Sequence, residues 1–392
     1  MTKKQRFWNI AAIYAVGFLQ LGGSGMAPVL ARLGDAFPQY STTAIQFTAT
    51  IPSIFVILTN LTTGWLCERF PKKYITAAGC GLAVAFAVLA SAFHSSLPLI
   101  YVWAGVLGVA ASLSCTVSPA IINEMFEPEE RVGIFGTRAC FSSLGTMLMT
   151  FVGGYLTGIA WYYGFLVYLI MLPGLVMSLA CHPKNTRLAK GAKQAGSSAP
   201  FSIRKMIFPC FIGFFVSMLY TTAMVNTSML AAASPFIPAG RADEMGGLLT
   251  TILLTVGGAA GLAVNWLTQK VGLHCATVGF VGLAVGYLGI FFSDSFGMLA
   301  VSSLFCGGAL TLVMPHVQVL GSAAGGRRQE LGLSVALIFS HLGTVLSPLL
   351  TNLSQAVFGT ADVRYRFLTA SLLSAAAAAA AGFAVCRMKR AS

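Results

Sequence analysis

Apolar residues run through this chain in long unbroken stretches, and polar residues collect in the gaps between them. Twelve runs stand out, near 8–30, 43–67, 74–93, 97–122, 132–157, 161–181, 206–233, 245–268, 275–293, 297–320, 331–357 and 367–386. A helix needs roughly 20 mainly apolar residues to cross the hydrocarbon core of a bilayer. Lipid offers the backbone no hydrogen-bond partner, so a spanning segment must be a helix or part of a closed barrel. Barrel strands are ~10 residues of alternating character, whereas these runs are longer and continuous. The pattern predicts an all-α membrane protein with twelve transmembrane helices.

Composition points the same way. Of 392 residues, 56% are hydrophobic and 9% are charged, against about 25% charged in a soluble domain. So few charges cannot wet a protein surface, and lipid must be the solvent for most of the chain. The net charge of +13 does not point to nucleic acid, because the basic residues are dispersed among alternate gaps. The segments 3–6, 69–73, 131–138, 184–205, 270, 327–328 and 387–390 hold all but Arg32, Arg241, Arg364 and Arg366. This asymmetry is the positive-inside signal. It predicts both termini in the cytoplasm and an even number of crossings. The chain therefore reads as a multi-pass protein of a bacterial cytoplasmic (inner) membrane, with the bilayer as its surroundings. The apolar run after Met1–Arg6 exceeds a signal-peptide core and no cleavage site follows it, so it reads as an uncleaved first helix.

The chain repeats itself at half-length. Gly64-Trp65-Leu66-Cys67-Glu68-Arg69-Phe70-Pro71-Lys72-Lys73 is echoed by Asn265-Trp266-Leu267-Thr268-Gln269-Lys270-Val271-Gly272-Leu273-His274, 201 residues on. Phe141-Ser142-Ser143-Leu144-Gly145-Thr146 is echoed by Phe339-Ser340-His341-Leu342-Gly343-Thr344, 198 residues on. Between the halves lies the one long polar, Ser/Gly/Lys-rich stretch, a flexible cytoplasmic linker by composition. The organisation predicted is an N-terminal six-helix bundle over 1–181, a linker over 182–204 and a C-terminal six-helix bundle over 205–392. Parallel halves of this kind are a known plan among secondary transporters.

The stretch Gly64-x-x-x-Glu68-Arg69-x-Pro71-Lys72-Lys73 resembles the Gly-x-x-x-Asp-Arg-x-Gly-Arg-Lys signature of the major facilitator superfamily. It falls between helices 2 and 3, as in that family, and the degenerate copy falls between helices 8 and 9. The resemblance covers essentially the whole chain, with Glu68 in place of Asp and Pro71 in place of Gly. It implies two pseudo-symmetric six-helix bundles and alternating access to a central site. It also implies a cytoplasmic gate of Gly64, Glu68, Arg69, Lys72, Lys73 and Glu124. There Glu68 would accept from helix N-terminal amides and Arg69 would pair with Glu124; the alternative is that the basic residues only enforce topology. The family's drug–proton antiporters carry an Arg early in helix 4 and a Gly-Pro pair in helix 5. Here Trp103–Gly108 has no Arg, and Met149-Thr150 stands where Gly-Pro would be.

All eleven acidic residues fall at or near the ends of the apolar runs. Ionisable groups inside a membrane are costly and mark function by default, and here those within spans are basic. Arg138 lies roughly 10 Å from the middle of its run at 1.5 Å per residue. Its guanidinium could hold a carboxylate or phosphate bidentately, or pair with Glu124, Glu127 or Glu130. His341 and His316 could bond a substrate or titrate, or simply bond a neighbouring helix. Gln20, Ser24, Gln46, Tyr220 and Asn226, with Thr250 and Thr251, could complete a polar lining, though each alone is commonly a packing contact. The expectation is a secondary transporter for a small organic anion, with or without a coupling proton or ion, acting as a monomer and without a cofactor. Efflux of amphipathic drugs by proton antiport is the alternative, with Phe- and Met-rich helices in its favour. A sensor or scaffold would need a sizeable soluble domain. No nucleophile–base pair, metal-ligand spacing or phosphate loop points to an enzyme.

Overall fold

The computed structural model describes residues 3–18, 29, 33–34, 36–40, 42–182, 200–238, 242–347, 349–360 and 362–391. Every element named below is helical. In chain order they are α1 (Lys3–Gly17), α2 (Thr42–Arg69), α3 (Lys72–Ala92), α4 (Leu97–Met125) and α5 (Pro128–Ile159). Then come α6 (Trp161–Met171 as a 3-10 helix, continuing as Leu172–Cys181), α7 (Ile203–Ala233), α8 (Ala242–Val271) and α9 (Cys275–Phe291). The last three are α10 (Phe296–Gly307, then Ala309–Ala324), α11 (Gln329–Leu346, then Leu349–Phe358) and α12 (Val363–Ala391). Among the described residues, nine helical stretches are long and apolar enough to cross a membrane. One of them, Met245–Phe291, carries both α8 and α9. The shorter apolar core of α2 and the described part of α1 complete a pattern consistent with the twelve runs.

Two compact units emerge. The first is Met1–Ile134 with Phe141–Phe201 and Ser322–Ile338; the second is Phe135–Cys140 with Ser202–Gly321 and Phe339–Ser392. In the first, α4 packs on α2 and α3, α3 on α6, and α6 on α1. In the second, α10 packs on α8 and α9, α9 on α12, and α12 on α7. The pairings correspond one for one. The core of the first unit is apolar and aromatic, with Phe86 edge-on to Phe165 and Tyr168. Outward faces stay apolar too. Along α9 and its C-cap, Val278, Val281, Val285, Leu288 and Phe292 form one exposed stripe at helical spacing, which only lipid can cover without cost.

Glycines bring the helices together. A Cβ at Gly145 on α5 would stand 2.9 Å from the Phe18 carbonyl oxygen, and one at Gly343 on α11 would overlap the Phe214 carbonyl of α7. Gly108 on α4 faces the Pro52 carbonyl of α2, and Gly307 on α10 faces that of Leu253 on α8. Gly79 on α3 faces the Ala110 carbonyl of α4, and Gly279 on α9 that of Ala309 on α10. These three pairs repeat at separations of 198, 199 and 200 residues, so the half-length echo is a repeat in three dimensions. Helices in lipid gain little by hiding apolar area, and small residues that allow backbone contact hold them instead. The turns after α2 and α8 also correspond. Pro71 takes φ −59° at the first, and Gly272 takes the left-handed φ +59° at the second, as a glycine just past a helix end often does.

Gly343→Ala should lower the melting midpoint of the purified protein by several degrees, since overpacking a close contact costs about 1–3 kcal/mol. Gly154→Ala, where an added methyl meets nothing within 4 Å, should leave the midpoint unchanged or slightly raised. Equal melts for the two variants would contradict the packing described.

Candidate functional site

The first unit gathers its charge at one end. Lys72, the first residue of α3, is only 3% exposed and makes salt bridges to Glu124 on α4 and, at 3.0 Å, to Glu330 on α11. Glu330 sits in the first turn of α11, where a carboxylate also meets the partial positive charge of the helix start. A small cavity beside this triad is lined by Asn123, Glu124, Ser322, Gln329, Glu330 and Leu333. Both amide atoms of Asn123 and Oε2 of Glu124 are buried there without a hydrogen-bond partner. The triad is thus tightly charge-paired but incompletely hydrogen-bonded, and each unmet buried group costs about 1–3 kcal/mol.

This differs from the pairing expected of the signature. Arg69 is not the partner of Glu124. Its guanidinium lies over the Trp65 ring, 4.3 Å from the centroid, and Lys72 makes the reach instead. Residue 69 ends α2, while residue 72 opens α3 beside α4, so the chain reversal at Phe70-Pro71 hands the contact to the later basic residue. Lys73 lies at 5.9 Å from the Tyr74 ring centroid. The environment of Gly64 and the side chain of Glu68 lie outside what the structure describes. Glu130 pairs with Arg6, and Arg131 donates to the Phe126 carbonyl at 2.8 Å. Glu330 and Asn123 were not singled out from sequence; the one signal for Glu330 was a carboxylate opening an apolar run, two residues after Arg328.

Arg138, in the segment of α5 that clusters with the second unit, is 1% exposed and is the largest fully buried side chain among the described residues. Nearby Gly136 packs against Gly261 and Val264 of α8. His316 on α10 is bonded on both sides, its Nδ1 to the Leu312 carbonyl at 3.0 Å and its Nε2 to the Thr268 hydroxyl at 3.3 Å. The first bond is to its own helix and the second joins it to α8. His341 is part-buried on α11. Asn226 on α7 accepts from Arg366 of α12 at 2.9 Å and donates to Thr222. Arg366, expected in an outer loop, therefore reaches into the second unit. Tyr220 is buried, while Thr250 and Thr251 return their hydroxyls to carbonyls one turn back, as such residues commonly do in helices. Gln20 and Ser24 lie outside the described residues, as does the side chain of Gln46.

His182, just past α6, is 2% exposed and neither ring nitrogen has a hydrogen-bond partner. Burial, reinforced by the neighbouring Lys73 charge, pushes its pKa down to about 4.

Comparison with known proteins fits this architecture. The Major Facilitator Superfamily profile matches residues 12–230, more than half of the chain. The proton:xylose symporter XylE, bound to 6-bromo-6-deoxy-D-glucose, superposes with a TM-score of 0.75 at 15% identity, covering 96% of this chain and 95% of that one. The E. coli fucose:proton symporter FucP gives 0.69 at 16%, covering 95% and 98%. The human organic anion transporter MFSD10 (TETRAN) gives 0.72 at 16%, covering 96% and 99%. No curated protein sequence matches the chain. The chain belongs to the Major Facilitator Superfamily; it is a multi-pass membrane protein and a secondary transporter of small molecules.

Two outcomes follow from this geometry. Lys72→Gln leaves two carboxylates facing each other and should lower the melting midpoint. The triple variant Lys72→Met, Glu124→Gln, Glu330→Gln should recover part of the loss, because the cost lies in uncompensated charge. Equal midpoints for the two would refute the triad. For His182 the folded pKa lies below the usual ~6.5, so the unfolded state binds the proton more readily. Its contribution is complete above about pH 6.5 and is lost as pH falls toward about 4. His182→Gln should flatten the fall of the melting midpoint across that window.

Proposed function

We propose that the protein carries a small organic anion across the cytoplasmic membrane of a bacterium. Two six-helix bundles, 1–181 and 205–392, would rock about a central site with both termini and the 182–204 linker in the cytoplasm. The observation carrying the substrate class is Arg138. It is a guanidinium buried within a span, while the described helices place no Asp or Glu at mid-length. A planar guanidinium binds carboxylate or phosphate with two parallel hydrogen bonds. His341, His316, Gln20, Ser24, Gln46, Tyr220 and Asn226 are the companions proposed for the lining. His316 and Asn226 would act by exchanging the protein bonds they now hold. The fold likeness to an organic anion transporter agrees with this reading, and the likeness to two proton:sugar symporters keeps a coupling proton within it.

In the same reading Gly64, Glu68, Arg69, Lys72, Lys73 and Glu124 form the cytoplasmic gate, with Lys72 as its centre and Glu330 as an added partner. Its unmet polar groups, Asn123 and Glu124 Oε2, keep the closed state from being too deep a minimum for transport.

Uptake of a panel of labelled carboxylates into proteoliposomes tests the anion reading. With the best substrate, Arg138→Gln should cut the initial rate tenfold or more, since a charge-assisted bond contributes about 1.5–3 kcal/mol. Undiminished carboxylate uptake by that variant removes Arg138 from the site. A deletion strain hypersensitive to amphipathic cations, with no carboxylate phenotype, would favour drug efflux instead.

A further inference from the structure

Three exposed residues recur on one helix face in both compact units. On α2 they are Leu61, Trp65 and Arg69; on α8 they are Leu262, Trp266 and Lys270. Each set is spaced i, i+4, i+8, which places it on one face, and the sets are 201 residues apart. Trp65 is 50% exposed and Trp266 58%. In each set the cation folds back over the indole. The Arg69 guanidinium carbon lies 4.3 Å from the Trp65 ring centroid, and the Lys270 ammonium lies 4.1 Å from that of Trp266.

The order along the helix is the order of a bilayer leaflet. Eight residues at 1.5 Å each carry the stripe about 12 Å along the axis. That distance runs from a leucine at hydrocarbon depth, through an indole at the interface, to a cation at the level of the headgroups. A free basic side chain would wander through many rotamers there. Cation–π contact holds it over the indole face, with its outward N–H donors turned away from the ring. The arginine offers a planar edge and the lysine a compact ammonium. An indole face below a fixed cation fits a phosphodiester whose acyl chains lie along Leu61 or Leu262. The first unit adds exposed Phe70 and Tyr74, with Lys73 5.9 Å from the Tyr74 ring centroid.

We propose that these two stacks, Arg69 on Trp65 and Lys270 on Trp266, are binding sites for the headgroups of anionic phospholipids. They lie in the leaflet that faces the basic side of the protein. The proposal rests on the membrane orientation given above and not on the identity of the substrate. Topology alone asks only for basic residues on that side. It does not ask that each be stacked on an exposed indole at the same place in both repeats.

Five tryptophans, Trp8, Trp65, Trp103, Trp161 and Trp266, make the test direct. Variants keeping only Trp65 or only Trp266, with the others changed to Phe, are reconstituted into phosphatidylcholine vesicles. Each vesicle set contains an equal fraction of brominated phosphatidylcholine or brominated phosphatidylglycerol. Quenching should favour the anionic lipid by about fivefold in apparent affinity, the worth of one basic group at an anionic surface. Arg69→Gln in the Trp65 protein, and Lys270→Gln in the Trp266 protein, should bring the ratio to about one. Arg69→Lys and Lys270→Arg should keep it. With the cations intact, raising the salt should shrink the preference, a readout that needs no substitution at the stack. A ratio near one in the unsubstituted stacks, or one indifferent to the Gln changes, overturns the proposal. No substrate enters the assay, so failure here leaves the transport reading where it stands.

Discussion

Close approach of backbone to backbone at small residues holds each half of this protein together. In water an apolar helix face is driven inward, but in hydrocarbon that drive is nearly absent. What remains is contact: carbonyl oxygens of Phe18, Pro52 and Ala110 seated against Gly145, Gly108 and Gly79, and their counterparts in the second unit. Buried hydroxyls and amides add to it. Asn60 of α2 accepts from Ser112 and Thr116 of α4, a polar clasp between helices whose faces are otherwise apolar. Side chains too large to permit such contacts are turned outward, which is why so many Phe, Leu and Val residues are exposed.

The same solvent disciplines the charges. Lys72 is buried only because two carboxylates share it. Arg366 reaches inward to an amide oxygen, and Arg69 and Lys270 lie against aromatic faces at helix ends. Arg138 is a buried guanidinium within a span. A membrane protein retains such a group against its desolvation cost when transport chemistry or a structural bond needs it.

Much of the architecture was legible in one dimension. Runs such as 74–93 and 97–122 have room for a single helix each, and the hydrogen-bond rule for lipid leaves no other structure. The Trp65 and Trp266 echo, and the Gly145 and Gly343 echo, announced the repeat that backbone contacts display. The site was less legible. Arg69, Lys72 and Lys73 are nearly equivalent as a string, and the choice among them depends on which helix each residue belongs to and where its side chain points. Helix α2 ends before the reversal at Pro71 and α3 begins after it, so Lys72, not Arg69, reaches Glu124. Glu330, 258 residues further on, had no sequence signal tying it to Lys72. His316 stood out in the sequence, but its bonds to Leu312 and Thr268 could not be read there.

Solvent preference is a property of segments, and segments are written in order. The chain alone therefore determined the spans, the sidedness expected of the loops, the doubling at half-length and the family signature. Partnership is a property of positions in space. Only the packed helices could decide that Lys72 bridges Glu124 and Glu330, that Arg366 reaches Asn226, and that Arg69 and Lys270 fold back onto tryptophan. Those choices turn on a few ångströms of helix placement, which residue spacing along one strand of sequence does not encode.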